Sequence, residues 1–221
     1  METMNKCPHT LRPGLPTLPP RIAALPVDGR GFHIPYFVAM VDGEPDFRFA
    51  DGEKRDNCMK FELCWICGQT LGHFKTFPVG PMCAVNRNTA EPPSHLDCAL
   101  WAVKACPFLN NPKAVRRGDE LTEANKANVA GIMIERNPGV TCVWTTPHFT
   151  RRDAGGGKWL FDIGSPESVS WWKEGRPATR AEVQESLKTG MPALEAVCHS
   201  ETDLKALFYA LAITKKLLPE S

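Results

Sequence analysis

The sequence predicts an α+β fold, and three observations carry that prediction. Two stretches read as strand pairs around turn residues, the last third carries helix caps followed by helical periodicity, and a compact Cys/His cluster lies between them. At 221 residues the chain can bury a core of its own, and 43% hydrophobic with 23% charged residues is an ordinary globular composition. A net charge of +1 excludes the global electrostatic footprint of a duplex nucleic-acid binder, so any such contact must rest on a local patch.

Residues 1–30 hold Pro8, Pro13, Pro16, Pro19, Pro20 and Pro26 without hydrophobic periodicity and read as an extended or disordered arm, in which Cys7 and His9 are either ligands or, as is usual for lone residues in such a tail, solvated. No apolar leader segment and no run near the roughly 20 apolar residues of a membrane span is visible, so a cytoplasmic chain with no membrane partner is expected. In that compartment nine cysteines point to metal or reactive thiols more than to disulfides.

The elements follow in order. Phe32 to Val41 reads as a strand with Pro35 marking an edge, Asp42-Gly43 as a turn, and Asp46 to Ala50 as the return strand. Asp51 to Leu63 allows a helical turn. These belong with the cluster to a unit over 31–118. The unit over 119–221, expected to pack on it, opens with a short helix over Leu121 to Ala130. Val140 to Thr145 and Lys158 to Ile163 then form a second predicted hairpin, with Gly155-Gly156-Gly157 in its long tip. Thr179 with Glu182 forms a capping-box pattern, and Gly190-Met191-Pro192 predicts a break before a second piece ending at His199, a helix-terminus residue. Ser200 with Asp203 caps a last helix carrying Leu204, Leu207, Phe208, Leu211 and Leu218.

The chemistry concentrates at Cys64-Trp65-Ile66-Cys67-Gly68. Two cysteines separated by two residues aim both sulfurs at one ion when the backbone turns, and Gly68 suits the positive-φ geometry of that turn. Downstream, Pro92-Pro93 precede Ser94, a credible N-cap, so that His95 and Cys98 lie one helical turn apart. Four such ligands close a tetrahedron, which predicts one structural Zn2+ rather than a catalytic ion with an open position. Leu71 to Val85, between the pairs, has the length of a β-hairpin. Knuckle, hairpin and ligand-bearing helix resemble the treble-clef zinc fold over residues 64–106, a fold that serves many functions.

Two other readings stand beside zinc: buried free thiols, and an iron–sulfur cluster drawing on Cys83 and Cys106, against which His95 argues. Cys83 is an alternate ligand, a nucleophile with His73 as its nearest base in sequence, or a packing residue. The module also resembles the scaffold of His-containing treble-clef nucleases, although the segment before the hairpin lacks a catalytic histidine pair. The catalytic residues are therefore unknown.

Two basic stretches are candidate phosphate or nucleic-acid contacts: Lys113, Arg116 and Arg117, with Lys104 upstream, and the loop bearing His148, Arg151 and Arg152 beside the glycine tip. The alternative for both is solvated surface. No Gly-Lys-Ser/Thr follows the glycines, so the loop is not a P-loop. Of Trp171 and Trp172, adjacent on a strand, one is expected in the core. Pro35 to Val38, Cys64 to Gly68, Gly80 to Asn86, Glu91 to His95 and Cys106 to Leu109 resemble segments of uncharacterised proteins encoded in bacterial and prophage genomes. The sequence thus predicts a zinc-binding interaction module for nucleic acid or a protein partner, with a metal-dependent nuclease or a thiol enzyme using Cys83 as the alternative.

Overall fold

A computed structural model describes residues 14–110, 139–156 and 158–220. The chain forms helix α1 (Pro20–Ala23), strands β1 (Val38–Val41) and β2 (Glu44–Ala50), helix α2 (Gly52–Phe61), β3 (Lys75–Val79), α3 (Pro81–Asn86), β4 (Asn88–Thr89), α4 (Leu96–Ala105) and α5 (Pro107–Asn110). It continues with β5 (Thr141–Thr146), β6 (Phe149–Asp153), β7 (Trp159–Ile163), β8 (Ser168–Lys173), β9 (Arg176–Pro177), α6 (Arg180–Glu195) and α7 (Glu201–Lys215). This is the expected α+β class, with every strand pairing antiparallel.

The centre is a four-stranded sheet in the order β3-β5-β8-β9. All six residues of β5 are buried because both sheet faces are covered. Cys142 and Trp144 face the main core with Phe77, Val79, Val183, Leu187 and Leu207 under α3, α6 and α7, while Val143 points the other way onto Ala99 and Val103 of α4. The period-two alternation of a strand thus sorts β5 between two helical layers.

The expected hairpin, the helical turn expected after Asp51 and both expected C-terminal helix caps are formed. The β1–β2 hairpin turns at Asp42 and Gly43, both at positive φ, as a tight hairpin turn demands. Asp51 caps α2 by accepting from the Lys54 N–H, and the Thr179–Glu182 capping box and the Ser200 cap are both formed.

Other expectations are corrected. Pro20–Ala23, within the expected arm, makes a helical turn that buries Ile22. The strand expected from Phe32 begins only at Val38. Leu71 to Val85 is not a hairpin: β3 takes β5 as its partner, and Gly80 becomes the N-cap of α3 with Pro81 at its first position, where a missing N–H costs nothing. The second hairpin joins β6 to β7, because Val140 to Thr145 lies instead between β3 and β8. Helix α6 runs through Pro192; its apolar face of Val183, Leu187, Met191 and Leu194 is packed, which outweighs one lost backbone bond. Gly190 brings α6 close to α3, where a Cβ would meet Met82 at 2.8 Å. The expected helix over Leu121 to Ala130 lies outside the described residues. Among the described residues no helix is long and apolar enough to cross a membrane.

Candidate metal centre

The knuckle is a tight turn closed by its own backbone. Leu63 bridges Thr70, the Cys64 N–H donates to the Gln69 carbonyl at 2.7 Å, and the Gly68 N–H donates to the Cys64 carbonyl at 2.8 Å. Gly68 stands at φ +72°, and a Cβ there would lie 2.7 Å from Tyr36 Cδ2, so glycine is needed for both conformation and space. Trp65 anchors the turn: its ring stacks on Phe37 with centroids 5.1 Å apart, and its backbone N–H donates to the Pro93 carbonyl.

The second donor pair arrives by a different route. Thr76 of β3 and Ser94 exchange two backbone hydrogen bonds, which bring the start of α4 beside the knuckle. The N-cap of α4 is His95 rather than Ser94, and Cys98 follows in the first turn.

Cys64, Cys67, His95 and Cys98 offer donor atoms that all lie within 4.8 Å of one another. His95 Nδ1 is 3.4 Å from Cys67 Sγ and 3.9 Å from Cys98 Sγ. A tetrahedral ion with bonds of about 2.3 Å to sulfur and about 2.0 Å to nitrogen would separate sulfur from nitrogen by about 3.5 Å, between those two values. The three cysteines are buried and His95 is half-buried. His95 Nε2 lies 3.0 Å from the Thr70 carbonyl, which can only accept. The proton therefore sits on Nε2, leaving the Nδ1 lone pair turned toward the sulfurs.

The electrostatics fit a cation. Cys64 accepts from the Cys67 and Cys98 thiols and from the Cys67 and His95 N–H groups, which together hold it far below the ordinary thiol range despite its burial. The same contact with Cys64 pushes Cys67 up to about 11 and raises Cys98 as well. One anion is thus favoured at the expense of its neighbours, and ionising all three requires a positive charge among them. A tetrahedral set of three sulfurs and one nitrogen suits zinc.

The other candidates fall elsewhere. Cys83 is not among the gathered donors: it lies half-buried on α3, packed against the main core. Cys106 is the C-cap of α4, its thiol raised by burial. His73 lies before β3 with its ring against Phe74. Arg151 and Arg152 are on β6 rather than in a loop; Arg151 stacks over Trp159 at 5.2 Å, and Arg152 pairs with Asp162 at 3.1 Å. His148 is exposed just before that strand. Lys113, Arg116 and Arg117 lie outside the described residues. Trp171 is the buried member of its pair, and Lys104 Nζ sits 4.9 Å over the Trp172 ring.

Sequence reasoning missed the support around the cluster. Thr70 contributes a backbone carbonyl, which carries no residue signature, and Tyr36 is placed by its N–H bond to Ile66. Cys58, at the end of α2, is a further buried thiol, pushed up to about 12 by burial and by the charges of Cys64 and Cys67. Comparison with known proteins adds nothing to this geometry: the chain matches no family model, no curated protein and no solved structure.

Proposed function

We propose that the cluster holds one structural zinc ion in a treble-clef-like module, and that the chain acts as a cytoplasmic protein-interaction module of bacterial or phage origin. The observation that carries the metal reading is the convergence of three sulfurs and one oriented imidazole nitrogen at tetrahedral spacing. Cys64, Cys67 and Cys98 as thiolates and His95 through Nδ1 would hold the ion. Four protein donors fill its shell, and its contribution is folding free energy. All the described cysteines are free, as a thiol site in a reducing compartment requires.

A protein partner is favoured over nucleic acid by the surface. Arg21, Arg30, Arg48, Arg152 and Arg176 each pair with a carboxylate of this chain, which reduces the charge these five present to phosphates. Large apolar side chains meanwhile stand exposed: Met40, Val41, Phe61, Phe74, Phe208 and Tyr209.

The test is metal analysis of the purified chain with its ligand variants. One zinc per chain, with metal and cooperative unfolding lost together in Cys64→Ser and His95→Ala, is expected. A fold that survives with a freely exchanging ion would overturn the structural role and favour a metal-dependent enzyme. Salt-sensitive binding of single- or double-stranded nucleic acid would move the partner to nucleic acid and bring Lys113, Arg116, Arg117, His148 and Arg151 forward.

A further inference from the structure

Helices α6 and α7 and the end of α3 enclose an open groove of about 470 Å³. Its floor is apolar and buried through Leu194 and Leu207, while its rim carries Val197 at 40% and Tyr209 at 71% exposure. Two charged residues line it, Arg87 and Asp203.

Arg87 is held in place from three sides. It is the C-cap of α3 in the left-handed region at φ +52°, where its N–H donates to the Cys83 carbonyl. Its own carbonyl accepts from the Ile163 N–H at 2.6 Å, and its guanidinium lies 5.6 Å over the Trp144 ring. Trp144 is 1% exposed and does not yield. Among the described residues no carboxylate pairs with Arg87, in contrast to the five arginines named above. Asp203 is already engaged, its Oδ2 accepting from the His199 N–H at 3.0 Å.

We propose that this groove seats a segment of a protein partner that presents an apolar helical face to Leu194, Leu207, Val197 and Tyr209 and an acidic side chain to Arg87. The proposal rests on the protein-interaction reading above and names its surface. An oriented guanidinium without an acid, beside exposed apolar rim residues, is complementary to such a segment. The two other occupants fit less well. A small ligand needs most of its surface enclosed, and this groove is open; a polyanion would find a single cation, Arg87, among the groove's lining residues.

The experiment is selection from a displayed library of random 16-residue peptides against the zinc-loaded full chain, followed by titration of the enriched peptides. The expected peptides combine apolar residues at helical spacing with Asp or Glu. Their affinity should fall about tenfold or more in R87E and in V197D, and a peptide with Lys in place of its acid should recover binding to R87E. R151E serves as a charge control that leaves binding unchanged, and unchanged melting and zinc content certify each variant. Peptides that bind R87E and V197D as well as the wild type overturn the groove while leaving the protein-interaction reading intact. No enrichment, or saturable binding of decanoate here in place of peptides, also overturns it. That reading itself fails by a separate route, salt-sensitive nucleic-acid binding, so the two failures are distinct.

Discussion

Replacing Gly68 with alanine tests the construction of the metal centre at its tightest point. The residue is at φ +72°, where an L side chain costs about 1–2 kcal/mol. The new Cβ would also stand 2.7 Å from Tyr36 Cδ2 and 2.9 Å from Cγ. Ordinary contact begins at 3.4 Å, so the ring must retreat by about 0.7 Å from a position fixed by the Tyr36 N–H bond to Ile66. Pushing a side chain off its rotamer on that scale costs about another 1 kcal/mol. The total of about 2–3 kcal/mol should appear as a loss of zinc affinity of roughly 30- to 150-fold, read by competition with a chromogenic chelator. Gly43→Ala is the internal standard. It stands at φ +84° with nothing within 4 Å of where its Cβ would sit, so it bears the conformational cost alone and leaves zinc affinity untouched. A Gly68→Ala protein that binds zinc like the wild type, or melts no lower than Gly43→Ala, would refute the reasoning.

Three further outcomes are expected. Gly164→Ala would drive a Cβ into the His148 carbonyl and against Thr146 Oγ1, both part of the framework, and should lower the melting temperature more than Gly72→Ala, whose Cβ meets nothing. Glu182 is held well below the usual carboxylate range by the Arg176 guanidinium, the Thr179 N–H and Lys173. Its contribution is therefore complete above about pH 4.5 and is lost as the pH falls through its depressed folded value, so the stability gap between wild type and Glu182→Gln, measured by urea titration, should narrow on acidification. His33 is 3% exposed, and burial lowers its pKa; the native state favours neutral imidazole, so stability should fall relative to His33→Leu as the pH drops below about 6.5, with equal slopes counting against that burial.

What could be read from the sequence was local. Cys64, Cys67, His95 and Cys98 announce themselves because two short spacings converge two donors each, and Thr179, Glu182, Ser200 and Asp203 do so because a cap is settled within four residues. The pairing of β5 was illegible for the opposite reason. Val140 to Thr145 has no local feature that prefers β3 and β8, one far upstream and one downstream, over the strand just beyond the glycine tip. Its two-sided burial removes even the polar alternation that would have marked a face. Pro81 and Pro192 carry a related lesson. Both look like interruptions in one dimension, yet one opens a helix and the other is carried inside one by the packing of Met191 and Leu194.

The pair of backbone bonds between Thr76 and Ser94 has a consequence for the order in which the chain is built. Every donor of the cluster leaves the ribosome before Thr141, the first residue of the strand that pairs along β3. The contact from Cys67 to His95 spans 28 residues, whereas that from Thr76 to Thr145 spans 69. Metal capture, as proposed, could therefore precede sheet assembly on the nascent chain, and by clamping Ser94 to Thr76 it would present β3 as a ready template. On the zinc reading proposed above, metal supply during synthesis would govern how long that strand waits with an open edge, the interval in which an unpaired strand is most prone to stray pairing.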